Sequence, residues 1–91
     1  MTKVKIGDKE YELGSLTALD LKRINDIKEK GKMSDYDQTF NTYLYAIKKF
    51  NPEVKMTIEN FMDSFPLKDM QKKIKELNEI IGINFTQDGK K

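Results

Sequence analysis

Between Asp35 and Phe50 the apolar residues Tyr36, Phe40, Tyr43, Leu44, Ile47 and Phe50 recur at the three- and four-residue spacing of a single helix face. A helix with so wide an apolar stripe has to bury it, so the remainder of the 91-residue chain must be arranged around this segment. Ser34, followed three residues later by Asp37, marks its start, and Asn51-Pro52 ends it. Because the chain has no cysteine, no disulfide or thiolate metal site can assist. Stability must come from packing or self-association.

The flanking segments supply candidate partners. Lys3 to Ile6 and Glu10 to Leu13 alternate polar and apolar residues around a possible turn at Gly7-Asp8, which places Val4, Ile6, Tyr11 and Leu13 on one face of a β-hairpin. Two strands alone are marginal in water, so the hairpin must pack on helices or pair through its open edge. Thr17 with Asp20 forms a capping-box-like start for a helix running to about Lys30 and stopping at Gly31. Its expected inner residues are Leu16, Leu19, Ile24 and Ile27, with Leu21 at the edge. Thr57 caps a short third helix bearing Ile58, Phe61, Met62 and Phe65. Pro66 suits the first turn of a fourth, lined by Leu67, Met70, Ile74, Leu77 and Ile81, flanked by Ile80 and stopped by Gly82.

The expected architecture is mainly α, with an N-terminal β-hairpin followed by a bundle of about four helices, which is α+β by strict count. It forms a single domain over residues 1–91, with the hairpin at 1–14, the helical bundle at 15–82 and a C-terminal tail, free to be flexible, at 83–91. Ile83-Asn84-Phe85 can add a few extended residues to it. The start lacks the apolar core of a signal peptide, and no run approaches the roughly 18 apolar residues that span a bilayer, so a cytoplasmic protein is expected.

Histidine is absent as well as cysteine, which removes the side chains most often used in catalysis and metal binding. Asp35-Tyr36-Asp37 opens like a calcium loop but continues with Thr39 where the pattern has Asp or Asn as its third oxygen ligand, and with Phe40 where it needs glycine. These acids suit a helix N-terminus instead. Glu59 and Asp63, one helical turn apart, have no third ligand and read as a solvated acidic face. Neither GxGxxG nor GxxxxGK[ST] is present. We therefore expect no enzyme, metal or cofactor.

Binding is the remaining class. The 17 basic and 15 acidic residues are interleaved, and Arg23 is the single arginine, which disfavours base-specific nucleic-acid recognition. Lys68, Lys72 and Lys75 nevertheless make a basic stripe on the fourth helix, with Lys48, Lys49 and Lys55 nearby, so phosphate binding is the alternative reading. For a protein partner, Tyr45 falls on the polar side of the central helix and is the aromatic most expected to be exposed. Met62, Phe65, Met70, Ile83 and Phe85 either extend the core or line an adaptable apolar groove near the last helix.

The layout resembles the small tail assembly chaperones of long-tailed bacteriophages. The resemblance lies in the opening Val4-Lys5-Ile6-Gly7-Asp8-Lys9-Glu10-Tyr11-Glu12-Leu13 and in Leu16-Thr17 with Asp20-Leu21 at the first helix. It continues through the longer central helix, the Asn51-Pro52-Glu53 break, Thr57-Ile58-Glu59-Asn60-Phe61 and the closing helix, roughly residues 3 to 82. It implies a cytoplasmic, non-enzymatic protein that holds the long, helical tape measure protein while tail-tube subunits polymerise around it. Related proteins often also occur in frameshift-extended forms that recruit tube subunits, and self-association around one client fits such a role. A structural tail completion or connector protein is a further alternative.

Overall fold

The structure, a computed structural model, describes residues 1–83. Phe85 and the tail beyond Ile83 lie outside the described residues. The order is β1 (Thr2–Ile6), β2 (Lys9–Leu13), α1 (Ala18–Gly31), α2 (Asp35–Phe50), α3 (Ile58–Asp63) and α4 (Met70–Ile81). This is the expected antiparallel hairpin followed by four helices. No helix among the described residues is long and apolar enough to cross a membrane.

Pairing of Val4 with Tyr11 and of Ile6 with Lys9 leaves Gly7-Asp8 as a two-residue loop. Gly7 has φ +64, and a glycine at the first loop position matches a type II′ hairpin, whose twist suits the paired strands. A Cβ on Gly7 would lie 2.7 Å from the Ser64 carbonyl oxygen, because the hairpin tip abuts the end of α3. The hairpin buries Val4, Ile6 and Leu13, and they join Phe40, Tyr43, Leu44 and Ile47 of α2 in one core.

Phe61, Phe65, Leu77 and Ile81 complete that core. The Phe40 ring meets Phe65 edge-on at 5.2 Å and Phe61 at 6.4 Å, geometry that the aromatic quadrupole favours. The buried Tyr43 hydroxyl donates to Asn78 Oδ1 at 2.7 Å and so ties α2 to α4. Burial pushes the Tyr43 hydroxyl above the ordinary tyrosine range, against the smaller opposing effect of Asn78.

Asn51, expected only as a helix stop, makes the principal hairpin attachment. Its side-chain oxygen accepts from the Glu12 amide at 3.1 Å, while its Nδ2 donates to the Glu12 carbonyl and to the Ile47 carbonyl, each at 2.8 Å. One buried amide therefore satisfies the outward-facing peptide groups at Glu12 and adds a second hydrogen bond to the Ile47 carbonyl, which also accepts from the Asn51 backbone amide at 2.8 Å. The Leu16 amide similarly donates to the Ile81 carbonyl at 3.0 Å, fixing the β2–α1 linker to the end of α4.

Three helical expectations are corrected. The first helix buries Asp20 and Ile24, whereas Leu19 and Ile27 are 53% and 39% exposed. The apolar face of α2 is taken by the hairpin, α3 and α4, so α1 meets the polar side of α2, where Gln38 and Thr42 are buried. Gln38 Nε2 reaches the Ile24 carbonyl at 3.5 Å and Asn25 Oδ1 at 3.4 Å. This face selects the Asp20–Ile24 line. At the other end of α1, Gly31 stays helical and Lys32 takes the left-handed position, with φ 50.

The fourth helix begins at Met70, not at Pro66. The residue before a proline is biased away from helical backbone, and the core-bound Phe65 occupies that position. The chain then turns before α4, with the Met70 amide donating to the Leu67 carbonyl at 3.2 Å. Leu67 is consequently 77% exposed rather than on an inner face, and Tyr36, at the start of α2, is 56% exposed.

Asn51→Ala should lower unfolding free energy by about 1–3 kcal/mol, since the part-buried peptide groups of Glu12 lose their partner. Urea denaturation followed by circular dichroism measures this; a loss below about 0.5 kcal/mol would refute the clamp. Two glycines should behave oppositely in the same assay. Gly7→Ala should cost about 1–3 kcal/mol through its positive φ and the Ser64 clash. Gly31→Ala, where a Cβ meets only the flexible Met33 side chain at 3.6 Å, should be neutral or stabilising by about 0.5 kcal/mol.

Candidate functional site

The best-defined polar constellation lies between α1 and α2. Thr17 and Asp20 form a complete capping box: the Asp20 amide donates to Thr17 Oγ1 at 3.2 Å, and the Thr17 amide donates to Asp20 Oδ2 at 2.8 Å. The same carboxylate also serves tertiary structure. Tyr45 donates its hydroxyl to Asp20 Oδ1 at 2.8 Å, and Lys49 donates to Oδ2. Spacing of i and i+4 aligns Tyr45 and Lys49 on one side of α2, facing the N-terminus of α1.

Burial alone would push the Asp20 carboxyl up. Hydrogen bonds from Lys49, the Thr17 amide, Tyr45 and the Thr17 hydroxyl outweigh it and hold the group well below the ordinary carboxylate range. Asp20 is therefore a charged, internally satisfied joint.

Around it runs an open groove of about 480 Å³, lined by Thr17, Leu19, Asp20, Arg23, Tyr45, Lys48 and Lys49. The expectation of an exposed Tyr45 is corrected, since its ring is half-buried and its hydroxyl engaged. Arg23 and Lys48 are exposed and enter no ion pair among the described residues. The signal for this site was the coincidence of Asp20 with Tyr45 and Lys49, which requires knowing that α1 packs on α2.

The other proposed contact residues among the described ones divide between the core, its flank and a second groove. Phe65 is a core residue, and Met62 is half-buried against that core. Met70 is half-buried, with its sulfur 4.0 Å from the exposed Tyr36 hydroxyl. Ile83 lines a separate open groove of about 500 Å³ along α4, with Ile74, Lys75 and Asn78. That groove and the α1–α2 groove share no residue.

The lysine stripe is shortened. Lys68 lies in the turn before α4, because the helix begins at Met70, while Lys72 and Lys75 remain exposed on the helix. Lys73 pairs with Glu76 at 2.9 Å, mixing the charge of that surface. Both acids stand in the first turn of α2, where the Asp35 carboxylate pairs with Lys28 at 2.8 Å and the Asp37 backbone amide donates to Ser34 Oγ at 3.1 Å. Among the described residues no group of three or more acidic side chains could hold a metal ion.

The hairpin edge is also modified by its surroundings. Asn51 occupies the outer side of β2 at Glu12, and the exposed Lys3 and Lys5 of β1 disfavour strand addition on the other side. Comparison of the chain with protein-family models, with curated proteins and with solved structures finds no match.

The depressed Asp20 carboxyl has a defined pH consequence. Its contribution to stability is complete above the unfolded-state value of about 3.9 and is lost as pH falls below that value through the folded-state one. Asp20→Asn should therefore be less stable than the parent at pH 7, and the gap should narrow steadily below about pH 4. Denaturant titrations across pH 2 to 7 provide the comparison; a gap that does not change with pH would refute the ionised joint.

Proposed function

We propose that this chain is a non-enzymatic assembly chaperone of the phage tail type, acting in the host cytoplasm to hold a tape measure protein soluble before tail-tube subunits enclose it. The observation supporting this reading is the set of large apolar side chains left outside the core: Leu19, Leu21, Ile27, Tyr36 and Leu67. They sit on a scaffold in which charged residues make up 35% of the chain. A chaperone for a helical client needs this combination, with apolar contacts for the client and charge to keep the complex dispersed. The order of elements that carries the resemblance to this family supports the same reading.

Co-expression with overlapping fragments of a tape measure protein tests the proposal. At least one fragment that is insoluble alone should become soluble, co-purify with this chain and stay bound in high salt, since apolar contacts are screened little. Absence of rescue, with retained nucleic acid that salt removes, would instead favour the reading based on Lys68, Lys72 and Lys75. Persistence of the chain in finished particles would favour a tail completion or connector protein.

A further inference from the structure

We propose that the groove between α1 and α2 docks an acidic amphipathic helix; this deepens the chaperone reading, and rests on it, by assigning a surface and a charge pattern to the client. The groove's lining combines the apolar surface of the exposed Leu19 and the half-buried Tyr45 with the cations Arg23, Lys48 and Lys49. Asp20, the acid of that lining, has both carboxylate oxygens engaged by Thr17, Tyr45 and Lys49. Its charge is thus neutralised locally. Arg23 and Lys48, outside every ion pair among the described residues, are left to face an incoming anion.

The apolar surface continues along α1. Leu19, Arg23 and Ile27 stand at i, i+4 and i+8, so two exposed aliphatic residues flank the guanidinium on one stripe about 12 Å long. A helix carrying aliphatic residues on one face and Glu or Asp beside them matches this pattern in length and charge. Nucleic acid would use the cations but gain little from Leu19 and Ile27. A second copy docking symmetrically through this groove would bring Arg23 and Lys48 of both chains together, which like charge opposes. Tyr45 is also preorganised, because its hydroxyl is held by Asp20 at 2.8 Å and its ring need not be ordered on binding.

The test uses the full chain and a fluorescein-labelled synthetic peptide of about 18 residues, long enough to form a helix, with leucines on one face and glutamates flanking them. A matched peptide carries lysine in place of each glutamate, and a labelled single-stranded oligonucleotide serves as the phosphate probe. Anisotropy should show the acidic peptide binding more tightly than the basic one. Leu19→Ser should weaken the acidic peptide by about tenfold, as should the double variant Arg23→Glu with Lys48→Glu. The double variant should also reverse the preference and bind the basic peptide. All three substituted side chains are exposed, and thermal unfolding monitored by circular dichroism verifies that the variants remain folded.

Equal binding of the two peptides, binding indifferent to the variants, or oligonucleotide binding stronger than peptide binding and unaffected by Leu19→Ser would each overturn the assignment. The client co-expression experiment, repeated with the variants, separates the two readings. Rescue that survives both the Leu19 and the double substitution removes the groove and leaves the chaperone; charge-reversible peptide binding without rescue of any client fragment leaves the groove and removes the chaperone.

Discussion

The attachment of a two-stranded ribbon to a helix is the constraint on which this fold depends. Alone, the ribbon would expose Val4, Ile6 and Leu13 and leave both strand edges unpaired. Asn51 ties the β2 edge to the helix end at one position, because an amide side chain can donate and accept at once. It sits where α2 ends, so the peptide groups of Glu12 are satisfied by the same residue that closes the helix. The ribbon is thereby held over the apolar face of α2. With that face covered, α1 must find another surface.

The surface left for α1 is polar, and its attachment has a different physical character. Asp20 combines local and tertiary work by capping its own helix and accepting from Tyr45 and Lys49. Removing a carboxylate from water is costly, and the hydrogen bonds around it offset that cost. Such a joint specifies which face of α1 turns inward more sharply than generic apolar contact could, since rotating the helix would strand a buried charge. Ile24 is wholly buried beside it, yet Leu19 and Ile27 remain outside.

Local features of the chain made much of this legible. The alternation of the hairpin, the spacing along α2, the Thr17, Ser34 and Thr57 caps and the Gly82 stop all describe interactions within a few residues, and the structure contains them. What local pattern could not convey was which of two faces an amphipathic helix would bury. Leu19 and Ile27 have helical spacing and apolar character, but the available face of α2 rewards Asp20 instead. Asn51 and Asp20 had sufficient local explanations as helix stop and cap, which concealed their contacts 39 and up to 29 residues away. Lys68 joined a stripe only on the assumption that α4 started at Pro66. Of the candidate contacts among the described residues, Tyr45 alone lines the α1–α2 groove, and there it is an anchored, half-buried ring, not a projecting one.

These choices are coupled. Because α1 docks on the polar side of α2 through Asp20 and Ile24, its leucines are displaced to the flank, and because Lys49 already compensates Asp20, Arg23 and Lys48 are not drawn inward to do so. Apolar surface and uncompensated positive charge therefore arise side by side from one packing decision. Had α1 buried Leu19 and Ile27, the joint would have been a conventional helix contact and both features would have vanished. Exposed aliphatic groups invite self-association, but the lysines around them oppose the approach of another copy while favouring an acidic segment. The same arrangement that leaves the hydrophobic effect unsatisfied along α1 thus restricts which kind of surface can satisfy it.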